Sequence, residues 1–163
     1  MFDEAGEDDL LLAAVVRLGA KGGALGGAVG SAATGGAGLG AGGKGGARGA
    51  ARGFKWTKKD VRERTVELRG TVAEASLAVE RALRHAGDLI GSETRDDGSV
   101  AMRATVGVGM GGLNPSVVTV VVHAAPDGTA ILSVRAVGRE GLIKQHPADK
   151  ALAKVTALLP VAE

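Results

Sequence analysis

The sequence predicts an α+β fold: an antiparallel sheet of about five strands with two helices on one face, preceded by a Gly/Ala-rich N-terminal extension that is helical or disordered. Three observations carry this expectation. From about residue 64 onward, apolar residues alternate at period two in short runs, and two further runs repeat at helical spacing. Tight-turn residues separate the strand runs, so neighbours pair antiparallel rather than through crossovers. Before that region, Gly and Ala fill 26 of the 35 positions from 19 to 53, a composition unlike any ordinary core.

The elements follow in order. Arg64–Gly70 alternates through Thr65, Val66 and Leu68 as a strand. Thr71–Ala86 carries Val72, Ala75, Val79, Ala82, Leu83 and Ala86 on one helical face, with Glu80 and Arg84 paired at i,i+4 on the wet side. Gly87 stops that helix. Leu89–Arg95 is a short strand ending at the Asp97-Gly98 hairpin signal. Ser99–Met110, Ser116–Ala125 and Thr129–Val137 are three more strands, punctuated by Asn114-Pro115 and Pro126-Asp127-Gly128. A last helix starts at Pro147 and runs to Leu159, with Ala148, Ala151, Leu152, Val155, Leu158 and Leu159 as its stripe.

Alternation assigns the sheet faces. Met102, Ala104, Val106 and Val108 share one side with Val118, Val120 and Val122 and with Leu132, Val134 and Ala136, and these should meet the helices. The opposite positions are Arg103, Thr105, Thr119, His123, Ser133 and Arg135, an open polar face without aromatic residues. Arg103, His123 and Arg135 are therefore the candidate contacts for an anionic ligand or partner.

Element order over residues 64–160 resembles the small helix-grip or TBP-like units of bacterial envelope lipoproteins of the outer-membrane assembly lipoprotein C type. The stretch Ala82–Val100 (Ala-Leu-Arg-His-Ala-Gly, then Asp-Asp-Gly-Ser-Val) has the same rhythm of helix, Gly, strand, Asp-Gly hairpin and strand. The resemblance implies an α+β unit and no catalytic residue. The chain has no Cys, so attachment through a lipidated Cys is not expected.

That absence also excludes a disulfide framework, a Cys-ligated metal and a thiol nucleophile. No cofactor and no metal site is expected. His85, His123 and His146 lie far apart in sequence, and residues 99–126 hold no Asp or Glu to orient His123. No catalytic residue is assigned, and the protein is read as a non-enzyme. Gly38–Gly43 and Gly107–Gly112 both fit G-x-G-x-x-G. The first has no strand before it and has Gly45 where a P-loop needs Ser or Thr after Lys44. The second runs into another strand, so it offers phosphates no helix N-terminus.

Charge divides the chain. Residues 1–18 form an acidic segment of net −4, residues 19–69 carry net +7, and residues 70–163 carry net −1, for a total of +2. The organisation is an acidic segment at 1–18, a Gly/Ala-rich tract at 19–53, a basic junction at 54–63 and the α+β domain at 64–163. Met1–Asp9 is acidic and Leu10–Val16 is a short apolar stretch, so no secretory signal is expected. Cytoplasm is the default, with or without membrane association.

Lys44, Arg48, Arg52 and Lys55 are spaced 4, 4 and 3 and line one face of a helix, with Phe54 and Trp56 at its end. This is either a solvated face docked by its aromatics or a contact for an anionic surface, lipid or acidic protein; nucleic acid is not the expected partner. In the tract, Gly19, Gly23 and Gly27 recur every fourth position, as do Gly22, Gly26 and Gly30, and then Gly45, Gly49 and Gly53. Such spacing lets helix backbones approach closely. Each Gly costs up to about 1 kcal/mol against Ala in a helix, so only close packing offsets the loss; a disordered linker is the rival. Gly19, Gly22, Gly23, Gly26, Gly27 and Gly30 are the candidate oligomerisation residues. The leading reading is a self-assembling scaffold, a homo-oligomer through residues 11–53, free or at a membrane, presenting the α+β domain. The alternative is a soluble ligand- or partner-binding module with a disordered tail.

Overall fold

The structure is a computed structural model. It describes the backbone of residues 4–34, 38–140 and 144–160, with side chains at 6–24, 42–109, 111–140 and 144–160. Five strands form one antiparallel sheet: β1 (Lys58–Leu68), β2 (Asp88–Thr94), β3 (Val100–Val108), β4 (Asn114–Ala124) and β5 (Ala130–Glu140), in the spatial order β1-β5-β4-β3-β2. The helices are α1 (Glu4–Thr34), α2 (Gly38–Phe54), α3 (Val72–Ala86) and α4 (Pro147–Thr156). The α+β class, the antiparallel sheet and the pair of helices on one face are as the sequence predicts.

The main core lies between the sheet and α3 and α4. It gathers the ten inward strand positions from Met102 to Ala136 named above, with Ala75, Val79, Ala82, Leu83 and Ala86 of α3 and Ala148, Ala151, Leu152 and Val155 of α4. Leu158, expected on the α4 stripe, is 38% exposed because the helix ends at Thr156 and the chain turns before Leu159 re-enters the core. A capping box starts α3: Glu74 N donates to Thr71 Oγ1 at 3.3 Å, and Thr71 N donates to Glu74 Oε2 at 2.9 Å. Gly87 ends α3 as expected, for a different reason. Its backbone is extended rather than left-handed, and a Cβ there would run into the Thr105 carbonyl and sit 3.0 Å from Val106 Cα. The helix end lies against β3, and only a residue without a side chain fits.

β1 begins at Lys58, so residues 58–63 of the basic junction are strand, paired with β5 from Lys58↔Glu140 onward. The longer strand has a partner because β5 itself extends to Glu140.

The outer sheet face is not left open. α1 crosses it over a row that runs from strand to strand, Val61–Val137–Val117–Thr105–Asp88. Leu11 is fully buried with Val117 and Val137, and Leu10, Phe54 and Val61 pack around them as a second core. Ion pairs fasten both ends of the crossing. Asp8 Oδ1 accepts from Arg139 Nη2 at 3.2 Å, and Arg17 Nη2 donates to Asp88 Oδ2 at 2.9 Å.

Further along, α1 and α2 form a hairpin of helices in direct backbone contact. A Cβ on Gly23 would overlap the Gly42 carbonyl, one on Gly46 would overlap the Gly19 carbonyl, and one on Gly19 would come within 2.5 Å of Ala50 Cβ. Gly19 and Gly23 on one helix thus face Gly42 and Gly46 on the other, within a single chain. Gly22, by contrast, has open space around it. Gly26, Gly27 and Gly30 belong to α1, and their surroundings lie outside the described residues.

Candidate functional site

Beside α1, the outer face carries two polar rows. Cross-strand pairing aligns Glu63, Arg135, Thr119, Arg103 and Gly91 in one, and Thr65, Ser133, Val121, Ala101 and Glu93 in the next. These rows floor a cleft of about 480 Å³, walled by Glu7 of α1 and by Arg95 just after β2. Thr65 and Ser133 of the second row are exposed, which leaves the cleft accessible.

Arg103 and Arg135, expected as partners on this face, both line the cleft. Neither is a solvated arginine. Arg103 is only 3% exposed and donates from Nε to Thr119 Oγ1 at 2.9 Å. Arg135 donates from Nε to Glu7 Oε1 at 3.1 Å and pairs through Nη1 with Glu63. Glu7 itself is 2% exposed, so its charge is held by this contact inside the fold. The third expected residue, His123, sits one row beyond, opposite Ile131, and does not line the cleft. It lies toward the β2–β3 turn, where the hydroxyl and backbone N–H of Ser99 hold the Asp97 carboxyl below its ordinary range, with a smaller contribution from His123.

Arg95 was not foreseen. Its Nε is buried without a hydrogen-bond partner, and the Glu93 carboxylate stands 3.9 Å away. Thr65, Thr119 and Ser133 add three hydroxyls. Chemically, the cleft offers guanidinium and hydroxyl donors at a sheet surface partly closed by a helix, an arrangement suited to a phosphate- or carboxylate-bearing molecule.

The two aromatics at the end of the basic row go different ways. Lys44, Arg48, Arg52 and Lys55 are exposed on α2 and the turn after it. Phe54 turns inward onto the second core, with the Arg139 guanidinium 4.3 Å above its ring. Trp56 is 89% exposed.

Asp60, Glu140 and His146 bring one potential metal-ligating atom each within 4.8 Å of one another. Their atoms serve the start of α4. Asp60 Oδ2 accepts from Ala148 N at 3.0 Å, and Glu140 Oε1 accepts from His146 N at 3.1 Å. His146 precedes Pro147 in the left-handed region, φ 48°, as the residue leading into the helix. His85 is exposed in the last turn of α3. Gly107–Gly112 ends β3 and begins its connection to β4, with positive φ at Gly109, Gly111 and Gly112, and leads into β4 as expected.

No family of known proteins matches the chain, and no curated protein does. Among solved structures, it is similar to an uncharacterised protein from Rhizobium leguminosarum at 12% identity, with a TM-score of 0.33, over 63% of this chain and 95% of that one. A likeness at that level carries no argument about function. The α+β class stands on the fold itself; nothing in these comparisons bears on the finer resemblance to envelope lipoprotein domains.

Proposed function

We propose that the protein is a non-enzymatic binding module whose cleft between α1 and the outer sheet face receives a small anionic molecule. The observation that carries this reading is the convergence of Arg95 from just after β2, Arg103 from β3 and Arg135 from β5 on one accessible cleft floored by hydroxyl side chains. Arginine binds phosphate and carboxylate with paired donors, and two of the three are oriented in advance by Thr119 and Glu7. Titration of the full chain with pyrophosphate and with citrate tests the reading, alongside Arg95→Gln, which leaves the Arg103 and Arg135 contacts in place. Saturable binding of either probe that weakens at least tenfold in the variant supports it. Absence of binding, or binding indifferent to Arg95, removes the cleft.

Self-assembly remains a second reading, now on different residues. Gly19 and Gly23 are taken up inside the chain, whereas Gly45, Gly49 and Gly53 recur every fourth position on α2 with open space around each. A second copy could approach the backbone there. Sedimentation of the full chain against a chain starting at Phe54 tests this, and a monomeric full chain rejects it.

A further inference from the structure

We infer that α2 and the turn after it form a docking surface for an anionic lipid bilayer, on which the hairpin lies without crossing. The charge pattern comes first. From residue 10 to residue 59 the chain has eight Lys or Arg and no Asp or Glu, so the hairpin beyond Asp9 is of one sign. Lys44, Arg48 and Arg52 fall at i, i+4 and i+8 on α2, away from the Gly42, Gly46 and Ala50 positions that meet α1. Lys55 in the turn after α2 and Lys58 at the start of β1 follow, and all five are exposed with no ion pair to another described residue. Beside the row run Gly45, Gly49 and Gly53, each with open space where a side chain would stand, so α2 itself presents no bulk there to hold it off a surface.

The second observation is Trp56, an indole left 89% exposed at the end of the row while its neighbour Phe54 is packed. Trp with Lys and Arg is the combination that settles at the headgroup layer, where the ring meets acyl chains and the cations meet phosphates. No helix among the described residues is long and apolar enough to cross a membrane, which suits surface docking. A duplex is the poorer fit: its phosphates would meet the same cations, but it offers the exposed Trp56 ring no acyl layer to enter.

The chain has one Trp and no Tyr, so its red-edge-excited emission reports Trp56 by itself. The experiment mixes full-length protein with phosphatidylcholine vesicles with and without 30% phosphatidylglycerol, reading emission and co-sedimentation. Binding to the anionic vesicles with a blue shift is expected, with none on neutral vesicles and reversal by salt. Lys44→Glu/Arg48→Glu/Arg52→Glu should weaken partitioning on the order of 100-fold or more. Trp56→Ser, read by co-sedimentation, should weaken it with the fold unchanged, since the ring touches little. The inference fails if anionic vesicles do not bind, if they bind with unshifted emission, or if Trp56→Ser binds as wild type. It also fails if a duplex oligonucleotide binds more tightly at the same salt and anionic vesicles do not displace it.

Discussion

The pair Glu7–Arg135 shows what a single residue decides here. A carboxylate 2% exposed needs its cation, and Arg135 in turn is aligned with the cleft by Glu7 on one side and Glu63 on the other. Glu7→Gln keeps the shape and removes the charge that Arg135 meets from α1. The expected loss is about 1–3 kcal/mol of stability, read by denaturant unfolding, together with faster hydrogen exchange along residues 4–18. Unchanged stability and exchange would mean that Leu11 and the Asp8 and Arg17 ion pairs hold the helix without Glu7. Deep in the main core, Val120 is fully buried, and Val120→Asp should abolish folding by enclosing an unpaired charge. Its position was legible because β4 alternates cleanly on that side. Glu7 was not legible as a wall of the site: its partner is 128 residues away, and no periodicity links an acidic N-terminal segment to one arginine in a distant strand. Arg95 was hidden for a related reason. It reads as the last residue of a strand before a turn, and only the fold bends it over the outer face.

At the scale of elements, β4 carried a signal that bears on the whole outer face. Val117-Val118 and Val120-Val121-Val122 break strict alternation into a nearly continuous apolar run, the pattern of a strand covered on both sides. Its polar outward positions, Thr119 and His123, suggested an open face, while Val117 and Val121 between and beside them marked where a helix lies and where the cleft floor is apolar. The glycine spacing was likewise legible as helix–helix contact, but spacing alone does not say whether the second helix belongs to the same chain. The turns were the clearest elements of all. Asp97 and Asp127 each accept from the residue two further on, Ser99 N at 2.9 Å and Thr129 N at 3.1 Å, and each precedes a glycine of positive φ. Those bonds, and the Thr71 cap on Glu74, hold all three carboxyls below their ordinary range. A lowered folded value means stability present in full above the unfolded carboxylate range and lost as pH falls through the folded values. Melting temperature should therefore be flat near neutrality and decline only in the acid range, less steeply in Asp97→Asn/Asp127→Asn. An equal decline in that variant would show that other carboxyls set the acid limb. On the hairpin, Gly23→Leu should splay α1 from α2, since any Cβ there meets the Gly42 backbone. Loss of helical circular dichroism with the sheet signal retained is the outcome to look for, and Gly22→Leu, placed in open space, is its control.

For the whole molecule, the two cores set the terms. The larger one, between the sheet and α3 and α4, contains no described residue of α1 or α2, whereas the smaller one includes Leu11 and Phe54 from the N-terminal hairpin. A chain running from Lys58 to the end keeps every strand and the entire larger core. It loses Leu11 from above Val117 and Val137, and it leaves Arg135 and Arg139 without Glu7 and Asp8. A buried leucine is worth about 1.5–3 kcal/mol, and the half-buried ion pairs add less because water reaches their cations. The shortened chain should therefore fold, with a loss of a few kcal/mol and a melting midpoint about 10–20 °C lower. A start at residue 64 should fare worse, because it removes six residues of β1 and the Asp60 carboxylate that holds Ala148 N at the head of α4. Comparing melts of the chains from residues 1, 58 and 64 tests this order. Equal stability of the first two would show that α1 contributes nothing to the sheet it crosses. Failure of the second to fold would show that the outer core is required for the inner one, and that the hairpin is an integral layer of the domain, not a docked appendage.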